Sequence, residues 1–299
     1  MAKKVKIGWV GLGKMGYPMA KRLLDAGYPL TVYDIIPEKA EEIKAHGAKT
    51  TDSPKAVSTN SDVVITMIPD DTVLESVTLA KRGVFEGTRR NSIFIDMSTV
   101  SPVASSRVAK GAENKGIKYL RAPVSGSTVL AESGSLTIFV SGQKDTYEKC
   151  LDIFRVLGQK TFYVGPEDES RYLKLLLNMM VGITSAMTAE ALTFGERGGM
   201  DWNQMIDIIS NSVVASPLIG YKAQMLKDRN FAPAFTIDQM AKDFDIALEM
   251  GKALNLPMPV TVLARQFFGM MKAKGKGNLD FFGLVLLMEE LSGIKQRKE

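Results

Sequence analysis

Cysteine and histidine each occur once in the 299 residues, as Cys150 and His46. A single cysteine excludes a disulfide framework and a thiolate metal cage, so no metal site is expected. The single histidine stands beside Gly47 at the end of a short helical pattern, where it fits a C-capping role. Histidine-based acid–base chemistry is therefore disfavoured. Also absent is an uninterrupted apolar span of about 18 residues. The most apolar stretch, 175–195, is broken by Asn178, Thr184 and Glu190, and reads as a buried helix. Residues 1–10 run straight into a strand-like pattern with no signal-peptide composition, so a cytoplasmic protein without membrane partners is expected.

Charge is nearly balanced, with 38 basic and 33 acidic residues and a net +5. The basic residues are scattered among acids. The one dense run, Lys272, Lys274 and Lys276, reads as a solvated face, so no nucleic-acid partner is expected. A mild positive excess suits an enzyme whose ligands are carboxylates and phosphates.

The length favours two domains. Strand-length apolar runs at 5–10, 30–33, 63–67 and 92–95 alternate with helical stretches at 14–26 and 37–46. Ser101-Pro102 reads as an N-cap with proline at the first helical position, opening a helix to about residue 115. Further strands are expected at 118–120, 136–140 and 161–164. Repeated β-α-β units predict a doubly wound α/β sheet of Rossmann type over residues 1–165. Residues 166–299 carry helical periodicity alone and predict an all-α domain. The two are joined by a long interdomain helix over 170–197, roughly 40 Å at 1.5 Å per residue. A helix that apolar is expected to be covered on most sides.

Gly11-Leu12-Gly13-Lys14-Met15-Gly16 matches G-x-G-x-x-G, and it closes a predicted strand and opens a predicted helix. The next strand runs to Asp34, close to the twenty-residue offset of a dinucleotide fingerprint. Gly11 permits the tight turn, Gly13 lets the backbone approach a pyrophosphate, and Gly16 allows close helix–strand packing. The helix N-terminus offers N–H groups and partial positive charge to phosphates. Asp34 can accept hydrogen bonds from ribose hydroxyls and repels a 2′-phosphate. With Ile35 and Ile36 following in place of a cation, NAD is expected, with NADP as the alternative.

With histidine disfavoured, lysine is the next candidate for proton exchange. Lys174 and Asn178 share one face of the long helix among leucines and methionines. Two readings stand: a functional pair, or a snorkelling lysine and an amide that satisfies nearby backbone. Ser125-Gly126-Ser127 follows a strand and is either a carboxylate-binding nest or a plain turn.

Taken together, these stretches resemble the β-hydroxyacid dehydrogenase family over nearly the whole chain. GLGKMGYPMAKRLLDAG is similar to the family's extended cofactor signature. ITMIPDD, IDMSTVSP, APVSGS, SGSLTIFVSG, KLLLN and FTIDQMAKDFDIAL follow in the family's order. The resemblance implies that Lys174 is the catalytic acid/base, that Asn178 positions the substrate, and that Ser125, Gly126 and Ser127 bind its carboxylate. It also implies that Met67, Ile68, Pro69, Asp70 and Thr99 line the cofactor and that Lys242 reaches the nicotinamide end. The implied reaction is hydride transfer between NAD(H) and a small β-hydroxy acid or its semialdehyde, of 3-hydroxyisobutyrate or tartronate semialdehyde type. Glyoxylate or succinic semialdehyde reduction is the runner-up, and a non-catalytic dinucleotide-binding module is the reading from another class. A homodimer or homotetramer is expected from the apolar surface of the long helix.

Three positions depart from the family pattern. Arg121 stands where an acid is usual, Ser127 where a second glycine is usual, and Glu167-Asp168-Glu169-Ser170 where a Gly-rich loop is usual. Ser127 narrows the nest and adds a hydroxyl. Arg121 either pairs with the acidic loop or offers a second cation to a dicarboxylate or phosphorylated substrate.

Overall fold

The computed structural model describes residues 4–294. They divide into two compact units, one ending at Lys174 and the other starting at Leu175.

The first unit opens with β1 (Ile7–Val10), α1 (Gly16–Asp25), β2 (Leu30–Tyr33), α2 (Pro37–Lys44), β3 (Lys49–Thr50) and α3 (Pro54–Thr59). It continues through β4 (Val63–Thr66), α4 (Asp71–Leu79), β5 (Ile93–Asp96), α5 (Pro102–Asn114) and β6 (Lys118–Arg121). Then come β7 (Val124–Ser125), α6 (Thr128–Glu132), β8 (Leu136–Gly142), α7 (Lys144–Lys149), α8 (Leu151–Leu157) and β9 (Gly158–Gly165). The sheet order is β3-β2-β1-β4-β5-β6-β8-β7, with β9 on β8. Its first six strands are parallel neighbours in the doubly wound order, with the winding across the sheet reversing between β1 and β4.

Alternation explains why the central strands are largely apolar. Ile7, Trp9, Val63, Ile65 and Ile95 face one core with Met19, Leu23 and Phe154. Val10, Val64 and Phe94 face the other with Val57, Leu74 and Val108. Both faces are covered, as a parallel sheet requires. Ser101 caps α5 by accepting from the Ala104 N–H, with Pro102 at the first helical position.

The sheet is not parallel throughout. β8 runs antiparallel to both β6 and β7, in one continuous register from Leu120↔Gly142 to Ser125↔Thr137. β6 and β7 are thus one strand interrupted at Pro123, which has no N–H to give the ladder. The reversal follows from α6, whose five residues are too few for a parallel crossover, which needs about a dozen.

Helix α9 (Glu169–Arg197) is continuous for 29 residues. The second unit adds α10 (Trp202–Ser210), α11 (Pro217–Asp228), α12 (Ile237–Ala253), α13 (Pro259–Ala273) and α14 (Leu284–Leu291). Their core holds Trp202, Phe244, Phe268, Phe281 and Phe282 with Ala189 and Leu192 of α9. Lys222 and Asp280 form a fully buried ion pair at 2.7 Å within it. The expectation that α9 is covered on most sides is corrected. Leu176, Met180, Met187 and Phe194 are exposed, Phe194 by 83%, because α10–α14 reach only one face of the helix. By length and composition α9 could cross a membrane, yet its packed face is that of a core helix.

Candidate active site

The carboxyl ends of the parallel strands carry the candidate cofactor residues of the first unit. At the end of β1 the Gly11 backbone has φ +96°, and a Cβ there would collide with the Met67 carbonyl oxygen. A Cβ on Gly16 would collide with the Gly11 carbonyl oxygen. That same oxygen accepts a hydrogen bond from Trp9 Nε1 at 2.8 Å, which pins the turn from below. Gly13 differs, since a Cβ there meets nothing within 4 Å. Its φ also lies outside the left-handed range, so the chain's own atoms impose no demand for glycine at position 13. The open space there fits a ligand lying against the backbone.

Asp34 follows β2 directly. Its Oδ2 accepts from the Leu12 N–H at 2.6 Å and its Oδ1 from the Ile36 N–H at 2.9 Å. The carboxylate braces the glycine turn while keeping lone pairs for further donors. Beside the turn lies an open cleft of about 900 Å³ between α1, α2 and α6. Its cations Lys14, Lys21, Arg22 and Lys39 are interspersed with Asp25, Glu42 and Glu132, so it is not a surface of one sign.

The β1–β4 reversal brings Met67, Ile68, Pro69 and Asp70 alongside the turn, where open α/β sheets bind ligands. Asp70 itself caps α4, its Oδ1 accepting from the Val73 N–H at 2.9 Å. The Ile68 N–H donates to Ser98 Oγ at 2.9 Å, and Ser101 donates to Asp71, so the loops after β4 and β5 are laced together next to Thr99.

Ser125-Gly126-Ser127 lies at the end of β7, where the broken β6–β7 strand emerges on the same edge of the sheet. Gly126 has φ +141°, and a Cβ there would lie 2.7 Å from Leu136 Cδ2. Ser127 occupies the N-cap position of α6 without using its hydroxyl as a cap. Arg121 resolves to the first of its two expected roles. It is buried, its Nε lies 3.0 Å from Asp168 Oδ1, and its guanidinium stacks 4.4 Å from the Tyr119 ring. Its charge is taken up by the acidic loop.

Lys174 is half-buried on α9, and Asn178 follows one turn later, 7% exposed. Asn178 Nδ2 donates to Asp243 Oδ2 at 2.5 Å. Lys242 Nζ lies 3.1 Å from Asp243 Oδ1. A carboxylate only accepts, so Asp243 fixes which end of the Asn178 amide faces away from it. The second unit thus joins Asn178 to Lys242 through one buried acid, which sequence reasoning did not single out. Its signal was present as the acid beside Lys242 in an otherwise apolar helix face. Trp9 was missed as well. His46 is exposed, one residue beyond the Ala45 cap of α2. Among the described residues no group of three or more His, Cys, Asp or Glu could hold a metal ion.

This arrangement offers a dinucleotide cradle, a candidate carboxylate nest, and a lysine and amide on one helix face. Comparisons with known proteins agree in kind. Residues 6–165 match the family model for the NAD binding domain of 6-phosphogluconate dehydrogenase. Residues 169–288 match the model for the NAD-binding region of NADP-dependent 3-hydroxyisobutyrate dehydrogenase. The chain is 34% identical to 2-(hydroxymethyl)glutarate dehydrogenase of Eubacterium barkeri, covering 98% of each. It is 32% identical to the mitochondrial 3-hydroxyisobutyrate dehydrogenase of Mus musculus, over 97% of this chain and 89% of the relative. Among solved structures, the 3-hydroxyisobutyrate dehydrogenase of Mycobacterium tuberculosis with L-serine superposes with a TM-score of 0.87. It is 26% identical, over 95% of this chain and 99% of that one.

Proposed function

Because the chain belongs to the β-hydroxyacid dehydrogenase family and is an NAD(P)-dependent oxidoreductase acting on a CH–OH group, we propose that it interconverts a small β-hydroxy acid and its semialdehyde with NAD as cofactor. The observation that carries the substrate half is Asn178, held by Asp243 one helical turn from Lys174. For the cofactor half it is the open approach at Gly13.

The dinucleotide, when bound, supplies the hydride acceptor in oxidation and the donor in reduction. Gly11 to Gly16 hold its pyrophosphate, and Met67, Ile68, Pro69, Asp70 and Thr99 line it. Asp34 accepts from the ribose hydroxyls and disfavours a 2′-phosphate. Lys242 serves the nicotinamide end. Ser125, Gly126 and Ser127 take the substrate carboxylate, and Asn178 orients its hydroxyl. Lys174 accepts the hydroxyl proton as the alcohol is oxidised and returns it when the aldehyde is reduced. The two relatives above are named for acids that carry a hydroxymethyl group on the carbon α to a carboxylate, which makes the alcohol carbon β. A primary alcohol in that position is the substrate class that suits this site.

A panel of hydroxymethyl acids, their semialdehydes and glyoxylate, followed at the NADH absorbance with both cofactors, tests substrate and cofactor together. Lys174→Ala is expected to abolish turnover while NADH still quenches or enhances fluorescence on binding. Full residual activity of that variant sinks the assignment. The reading includes a homo-oligomer, supported by the exposed Met180, Met187 and Phe194 of α9, which light scattering on the purified protein tests.

A further inference from the structure

Arg171 lies one turn before Lys174 and is 1% exposed. Its guanidinium uses every nitrogen. Nη2 reaches Asp96 Oδ2 at 2.5 Å and the Tyr119 hydroxyl at 2.9 Å. Nη1 donates to the Ser98 carbonyl at 2.8 Å, and Nε to Ser105 Oγ at 3.3 Å. Asp96, wholly buried at the end of β5, accepts on its other oxygen from Thr66 Oγ1 at 2.7 Å and Ser98 Oγ at 2.6 Å. Ser98 Oγ in turn accepts from the Ile68 N–H at 2.9 Å.

We infer that Arg171 is a positioning residue that fixes the first turns of α9, and with them Lys174, to the cofactor-side loops after β4 and β5. The inference rests on the reading of Lys174 as the acid/base. Every group in the network belongs to the first unit, so the anchor is a property of that unit. A buried ion pair is a poor net stabiliser, because desolvation offsets most of its attraction. What it supplies is direction. A planar fork bonded at three nitrogens permits one helix register and one rotation, whereas an ammonium at the same place is a point charge that permits several. The chain from Arg171 through Asp96 and Ser98 ends on the Ile68 N–H, inside the stretch that lines the cofactor. Acid/base group and cofactor loop therefore share one anchor.

The test compares Arg171→Lys, Ser98→Ala and Lys174→Ala in the full chain. Displacing a reacting group by about 1 Å costs on the order of a hundredfold in rate. Arg171→Lys is thus expected to lower kcat by ten- to a hundredfold, roughly, with NADH affinity changed by less than about threefold and a larger substrate-deuterium isotope effect, because hydride transfer becomes slower. Ser98→Ala keeps the ion pair and removes the two links made by its hydroxyl, to Ile68 and to the other Asp96 oxygen. It is expected to raise the KM for NADH with little change in kcat and a cooperative melt like that of the parent. A merely structural role would move Tm without this split. Wild-type kcat in folded Arg171→Lys alongside an inactive Lys174→Ala overturns the positioning role alone. If Arg171→Lys does not fold, Ser98→Ala decides, and an unchanged KM for NADH overturns the inference. Full activity of Lys174→Ala overturns the Lys174 reading and this inference with it.

Discussion

Asn178 and Asp243 meet through a 2.5 Å hydrogen bond although 65 residues separate them in sequence. Both are buried, and the remaining Asp243 oxygen is 3.1 Å from Lys242. Removing the acid strands a buried amide. Asp243→Ala should therefore lower kcat/KM by about ten- to a hundredfold, the cost of about 1.5–3 kcal/mol for a charged hydrogen bond. Steady-state kinetics on the folded variant check this, and an unchanged kcat/KM would count against the arrangement.

The glycines of the turn make opposite predictions. Gly11→Ala places a methyl against the Met67 carbonyl and strains a left-handed backbone, so Tm should fall. Gly13→Ala meets no protein atom and should keep or slightly raise stability, by up to about 1 kcal/mol through the unfolded chain. Its NADH affinity should nevertheless drop at least tenfold, by a rough estimate from losing backbone approach to the phosphates. Thermal melts with and without NADH separate the two cases.

Ile35 is 83% exposed directly after Asp34. Replacing it with arginine adds a cation for a 2′-phosphate without disturbing packing, a change expected to stay within about 0.5 kcal/mol of parent stability. The ratio of kcat/KM for NADPH over NADH should rise several-fold. No change in that ratio would place the nucleotide ribose elsewhere.

Alkaline stability follows from two weak acids, the buried Cys150 and the more exposed Tyr221. Burial pushes the Cys150 thiol from 9.0 up to about 12. Burial, then the Asp280 charge, pushes the Tyr221 phenol from 10.0 up to about 12. Both folded values lie above the unfolded ones, so the fold favours the neutral forms. Their contribution is intact below the unfolded values and is lost as pH rises towards about 12. Tm should decline from about pH 9 upward, and Cys150→Ala should flatten the first part of that decline. Identical slopes in the two proteins would remove Cys150 from the account.

The sheet was legible because its signal is local. In β1 and β4 every residue is buried and nearly all are apolar, and Ser101-Pro102 marks α5 within two letters. The elements α3, α6, α7 and α8 went unread because five to seven residues are too few to display a helical period. Lys174 and Asn178 stood out as polar side chains in a leucine-rich helix. Their supports did not. Asp96 meets Arg171 across 75 residues of sequence, and Asp243 meets Asn178 across 65. No window of the sequence contains both partners. Arg121 was ambiguous for the same reason, since its partner Asp168 lies 47 residues away.

The Asp34 carboxylate bonded to both Leu12 and Ile36 also bears on how this chain can change over generations. On the proposed reading, position 34 serves the shape of the turn and the choice of nucleotide with the same two oxygens. A single substitution there that admits a 2′-phosphate also loosens the glycine loop, so such a variant begins with a stability deficit. Exposed position 35 carries no such double duty. Mutational routes towards a different cofactor are therefore ordered: the cation at 35 comes first, and the acid at 34 is lost only after it.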